Sequence, residues 1–87
     1  MIKSKATTTF WKSFHTLPPE IRKQAESAYR TFKLDPSNKG LDFKKLAGTK
    51  DLYSVRIGIH YRAVGRMKKS EIIWFFIGGH DEYDRLT

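Results

Sequence analysis

Eighty-seven residues make one domain around one small core, which excludes a deep enclosed active site and leaves function to exposed side chains. Seventeen Lys and Arg against nine Asp and Glu give a net charge of +8, a field that favours a polyanion or an acidic protein partner. No cysteine is present, which excludes disulfides, thiolate metal sites and a cysteine nucleophile.

The charge is uneven along the chain. Residues 1–70 carry 16 basic and 5 acidic side chains, whereas Arg85 stands against Glu71, Asp81, Glu82 and Asp84 in the remainder. The longest apolar run, Ile72 to Ile77, is far shorter than the roughly 20 residues a spanning helix needs, and Met1-Ile2-Lys3-Ser4-Lys5 lacks the apolar stretch of a signal peptide. A cytoplasmic protein that stays off membranes is expected. No repeat or linker divides the chain, so one domain over 1–87 is expected as well.

In chain order, a first strand is expected over residues 2–6. Phe10, Trp11, Phe14 and Leu17 then follow at helical spacing, behind threonines able to supply an N-cap, which predicts a helix over 8–16. A second helix begins at Pro18-Pro19, where a missing N–H costs nothing. It carries Ile21, Ala25, Ala28, Tyr29 and Phe32 on one stripe and stops at Asp35-Pro36. Its other face, Arg22, Lys23, Glu26, Arg30 and Lys33, reads as solvated.

Beyond the Ser37-Asn38-Lys39-Gly40 loop the period becomes two. Strands are predicted over Phe43–Leu46, around Tyr53, Val55 and Ile57, and over Tyr61–Met67. After a Lys68-Lys69-Ser70 turn comes a strand over Ile72–Ile77, apolar on both faces and hence central. The β-α-α-β-β-β-β order describes an α+β domain with an antiparallel-rich sheet covered on one face by a helical hairpin. Trp74, Phe75, Phe76, Phe10 and Phe14 read as core, Trp11 as exposed, and His15 and His60 as surface residues. Three scattered histidines make no recognisable metal site, and no cofactor is implied.

Several local phrases sit on these elements: Phe14-x-x-Leu17-Pro18-x-x-Ile21-Arg22-Lys23, Lys45-Leu46-x-Gly48, Leu52-Tyr53-Ser54-Val55-Arg56, Tyr61-Arg62 and Gly79-His80-x-x-Tyr83. Together with the order of elements they resemble the RelE/ParE toxin superfamily over nearly the whole chain. The resemblance implies a small RelE-like domain. It also implies a toxin that either cuts messenger RNA in the ribosomal decoding site or poisons DNA gyrase, and a cognate antitoxin that silences it. Departures from the pattern are specific. RelE relies on lysines where this chain has Leu52 and Ser54, and an arginine expected after the last strand is replaced by Asp81. The remaining arginine, histidine and tyrosine are closer to the YoeB and HigB branches.

If Gly58-Ile59-His60 connects the middle strands, Ile57 opposes Tyr61 and Arg56 opposes Arg62. Tyr53, Val55, Ile57, Tyr61 and Ala63 then meet the helices, and Arg56, Arg62 and Arg66 share the other face. Like charges directly opposite are destabilising, so an anion is expected beside them; the arginine fork suits phosphate, and splaying into water is the competing reading. Arg56, Arg62 and Arg66, with Lys50, form the expected RNA-binding set.

Cleavage by RNA's own 2′-hydroxyl needs a base, positive charge at the phosphate and an acid for the leaving oxygen. The expected catalytic set is His80, Arg62, Tyr83 and Glu82. Asp81 or Glu82 can hold the imidazole or serve as base, although the expected role of Asp81 is to cap a terminal turn through Leu86; Tyr83 lies either at the reacting centre or in the core. The leading expectation is a ribosome-dependent messenger-RNA endoribonuclease that blocks translation, with the ribosome, messenger RNA and an antitoxin as partners. A non-catalytic gyrase poison and a non-catalytic basic RNA-binding module are the alternatives.

Overall fold

The computed structural model describes residues 2–85. Strand β1 (Lys3–Ala6) leads through Thr7 into helix α1 (Thr8–His15). The Thr7 side chain accepts from the Phe10 N–H at 3.1 Å and so fills one of the donors left over at a helix start. Helix α2 (Pro19–Leu34) opens on proline and ends where the Asp35 N–H bonds the Thr31 carbonyl. A single 3-10 turn at Lys39–Leu41 precedes β2 (Lys44–Lys45), β3 (Leu52–Ile57), β4 (Tyr61–Lys68), β5 (Glu71–Gly79) and the short helix α3 (His80–Asp84).

The strands form one sheet in the order β1-β5-β4-β3-β2, antiparallel except for the parallel β1–β5 pair. Strand β5 is therefore flanked on both sides, as its apolar run requires. Helices α1 and α2 cover one face. Beneath them lie Leu17, Ala25 and Phe32 against Val55, Ile57, Ala63, Ile72, Trp74 and Ile77. The Trp74 indole N–H reaches the Ser4 hydroxyl at 2.8 Å and ties β1 to this core.

One irregularity decides what the opposite face can bury. Val64 pairs with Phe76 and Gly65 with Trp74, which leaves Phe75 as an extra residue in β5. The bulge shifts the inward parity from Ile72 and Trp74 to Ile77 and turns Phe76 to the other side. There Phe75, Phe76 and Leu52 pack with Leu46, Val64 and Tyr83 in a second small cluster. Gly65 has to lack a Cβ, which would lie 2.7 Å from Ile72 Cγ1 and 2.9 Å from Trp74 Cε3.

Three expectations need correction. The strand expected over 43–46 shrinks to two residues, because Phe43 turns inward onto Phe32, with ring centroids 5.0 Å apart. Tyr29, placed by periodicity on the buried stripe, is 43% exposed. It lines an open apolar groove of about 400 Å³ with Phe10, Trp11 and Phe14 of α1 and Trp74 and Ile77 of β5. The first helical turn after β5 starts at His80, so Asp81 lies inside α3 and Gly79 takes the cap position. Leu86, to which a terminal turn was expected to run, lies outside the described residues.

Candidate functional site

The face of the sheet away from the hairpin carries the candidate site. Strands β3 and β4 pair with Ile57 opposite Tyr61 and Arg56 opposite Arg62, as a three-residue connection demands. Arg56, Arg62 and Arg66 thus stand on one face, with Ser54 and Val64 between them. Their side chains turn to different partners. Arg56 leans towards the Gly40 carbonyl at 3.5 Å, and Arg66 approaches Asp51 at 3.8 Å.

Arg62 is the centre of the arrangement and is only 8% exposed. Its Nε and Nη2 donate to the Ser54 hydroxyl at 3.3 and 3.0 Å. Nη2 also donates to the Asp42 carbonyl at 3.1 Å, and Nη1 meets the Asp42 carboxylate at 3.3 Å. The Arg62 Cζ lies 5.2 Å from the centroid of the Tyr83 ring, and the Tyr83 hydroxyl is 3.4 Å from Ser54 Oγ. A buried guanidinium needs both a counter-charge and partners for its N–H groups. Asp42 supplies the charge for Arg62. Asp42 reaches this position in the left-handed region at φ 46°, a conformation that Asp and Asn tolerate better than other side chains.

Helix α3 is fastened over this face by Tyr83, itself only 9% exposed, and so holds His80 at the rim. The imidazole is open, with a side chain 60% exposed, and its Nδ1 lies 3.1 Å from Asp84 Oδ2, one helical turn on. The His80 and Tyr83 rings are 6.4 Å apart between centroids. Asp84, and neither of the two acids named from sequence, holds the imidazole. Glu82 turns back to the helix start, where its Oε1 accepts from the Gly79 N–H at 3.4 Å.

The fold therefore gathers Arg62, Tyr83 and His80 on one side, with Arg56 on the next strand. Arg66 lies further along β4, and Lys50 is exposed in the loop before β3, outside the cluster. Sequence reasoning missed three participants. Asp84 was signalled by its four-residue spacing from His80. Ser54 stands where the resemblance implies a lysine, yet it is fully buried and joins Arg62 to Tyr83. Asp42 carries no local signal at all, because its contact with Arg62 spans 20 residues. Among the described residues no group of three or more His, Asp or Glu side chains is placed to hold a metal, and no helix is long and apolar enough to cross a membrane.

A five-stranded sheet with a helical hairpin on one face is the architecture of the small RelE-like toxins, and comparison with solved structures bears this out. The chain is similar to the toxin in a RelB-RelE antitoxin-toxin complex from Methanococcus jannaschii, with 26% identity, a TM-score of 0.77 and coverage of 95% of this chain and 99% of that one. It is similar in fold to YafQ from E. coli, at 7% identity and TM-score 0.74 over 95% and 98% of the two chains. The same holds for a YoeB/ParE toxin from Agrobacterium tumefaciens, at 18% identity and TM-score 0.70 over 91% and 99%. Among curated proteins none matches the sequence significantly. The family model for the ParE-like toxin domain matches residues 19–85. The chain belongs to the ParE-like toxin family, and its class is that of the toxins of type II toxin-antitoxin systems.

Proposed function

We propose that this toxin is a ribosome-dependent messenger-RNA endoribonuclease, held inactive by a cognate antitoxin in the cytoplasm. The observation that carries the reading is the open imidazole of His80, oriented through Nδ1 by Asp84 and set beside the Tyr83–Arg62 pair. With Nδ1 engaged, Nε2 is the nitrogen offered to a substrate. It takes the 2′-hydroxyl proton as that oxygen attacks phosphorus; the bond to the 5′-oxygen breaks, and the leaving oxygen is protonated from the surroundings. The products are a 2′,3′-cyclic phosphate and a 5′-hydroxyl. Arg62 places positive charge at the phosphate, and its fixed position avoids reorganisation when charge develops there. Tyr83 keeps the guanidinium in place. Arg56 and Arg66, with Lys50 at the edge, guide the flanking backbone. The sheet offers few groups to bend the RNA into line, so the ribosome supplies that conformation, and free RNA is cut weakly.

The antitoxin partner is supported by the RelB-RelE complexes among the similar structures and by the basic charge of the domain. A second reading, a gyrase poison without catalytic activity, is favoured by the burial of Arg62 and Tyr83, which leaves His80 as the exposed member of the His80–Tyr83–Arg62 group. Inducing the protein in bacteria separates the two. New transcript 5′ ends inside translated regions are expected, and their loss in His80→Ala. A DNA-damage response without such ends would overturn the ribonuclease reading in favour of the gyrase one.

A further inference from the structure

We propose that Arg62 Nη1 and Lys44 Nζ form a phosphate subsite, and that the Asp42 carboxylate occupies it as an internal stand-in until a phosphate group displaces it. The inference rests on the reading above for its substrate, a phosphodiester, but not for its geometry. A single oxygen, Asp42 Oδ2, lies 3.3 Å from Arg62 Nη1 and 3.6 Å from Lys44 Nζ. Lys44 reaches this place because β2 pairs it directly opposite Ser54, the residue that grips Arg62 from the other side.

The contacts divide into two kinds. Nε and both bonds of Nη2 go to groups that stay with the fold, the Ser54 hydroxyl and the Asp42 backbone carbonyl. Only Nη1 depends on a side-chain charge. The carboxylate can therefore leave without releasing the guanidinium, which remains aimed and deprived of its counter-charge. Asp42 and Lys44 are also the open side of the arrangement, with side chains 44% and 55% exposed against 10% for Arg62. The Lys44–Asp42 contact is half-exposed and weak, and an arriving phosphate replaces the carboxylate as counter-charge to the buried guanidinium, so Arg62 is not stranded as Asp42 leaves. Phosphate oxygens offer the same acceptor chemistry as the carboxylate, and more of them, to two cations already in place. Asp42 in this view sets a threshold. It keeps the subsite closed to weakly held polyanions and yields to a phosphate that is presented in position.

Inorganic phosphate is the probe, titrated into the folded protein while the side-chain nitrogen signals of Arg62 and Lys44 are followed by NMR. Asp42→Asn is the informative change, because Asn tolerates the left-handed backbone and keeps the carbonyl and an acceptor oxygen while removing the charge. Removing a like charge about 4 to 5 Å from the bound anion is expected to tighten phosphate binding about threefold to tenfold. Asp51→Asn changes the net charge equally but acts beside Arg66, about 13 Å along β4 from Arg62 and beyond the screening length of about 8 Å in physiological salt. It is expected to change affinity less than about twofold. Adding Lys44→Ala to Asp42→Asn is expected to reverse at least half of the gain. Equal tightening in the two Asn variants, no saturable phosphate binding, weaker binding in Asp42→Asn, or a response centred on Arg56 or Arg66 would each overturn the subsite. Transcript mapping is independent of this outcome. A phosphate subsite found in a protein that leaves no cleavage ends would retire the ribonuclease reading alone.

Discussion

Ser54 offers the sharpest test of how the open face is built. The residue is fully buried, and its oxygen takes two N–H groups of Arg62 while meeting the Tyr83 hydroxyl. Ser54→Ala removes one oxygen and hardly alters volume, so the cavity contribution is small and the loss is one of hydrogen bonding. Arg62 would keep Asp42, so its charge would not be stranded, a situation that costs about 3 to 5 kcal/mol. Nε would lose its acceptor at a place water scarcely reaches. Hydrogen bonds to charged groups contribute about 1.5 to 3 kcal/mol each, and the two here share one acceptor, which sets the expected loss at about 2 to 3 kcal/mol. For a domain of this size total stability is about 4 to 13 kcal/mol, so the variant should fold with a visibly reduced margin. With a urea m-value near the low end of the usual range, about 1 kcal/mol/M, the unfolding midpoint should fall by about 2 to 3 M. Tyr83→Phe, which gives up only the 3.4 Å contact, should lose less than about 1 kcal/mol. A Ser54→Ala midpoint within about 0.5 M of the parent would show that Ser54 does not hold Arg62, and the arrangement described above would have to be abandoned.

His80→Ala should lower ribosome-dependent cleavage by about 100 to 10,000-fold, the usual worth of positioned proton transfer, with stability changed by less than about 0.5 kcal/mol because the side chain is exposed; full activity in a single-turnover assay on programmed ribosomes would exclude the imidazole from the reaction. Asp84→Asn should lower cleavage less than His80→Ala does, and through kcat rather than KM in the same assay, since the carboxylate orients the ring without touching substrate. Gly65→Ala should destabilise the domain by about 1 to 3 kcal/mol, because its Cβ would press on Ile72 and Trp74; calorimetry showing an unchanged melting temperature would mean that β5 can move aside. Association with the antitoxin should slow steeply with added salt, given a net charge of +8. Stopped-flow rates that ignore ionic strength would place the recognition on apolar contacts alone.

Much of the scaffold was legible before folding was considered. The threonine cap, the helical spacing of Phe10 and Phe14, the Pro18-Pro19 entry and the alternation around Tyr53, Val55 and Ile57 are short-range signals, and each produced the element it announced. The Gly58-Ile59-His60 connection is short enough to dictate register, which is why the pairing of Arg56 with Arg62 was readable from sequence. What those arginines do was decided by tertiary structure. Arg62 was expected to project with its neighbours, but β2 and the turn before it bring Asp42 alongside, 20 residues away, and Tyr83 closes over it from 21 residues further on. The bulge at Phe75 likewise has no signal in an all-apolar run, yet it decides which aromatic rings face the hairpin and which support α3. Periodicity reports which side of an element is apolar. It does not report which polar groups that burial then forces together. Once β5 is packed between β1 and β4, the buried guanidinium must find acceptors wherever the chain has put them, and the β3–β4 register together with the turn before β2 makes these Ser54 and Asp42.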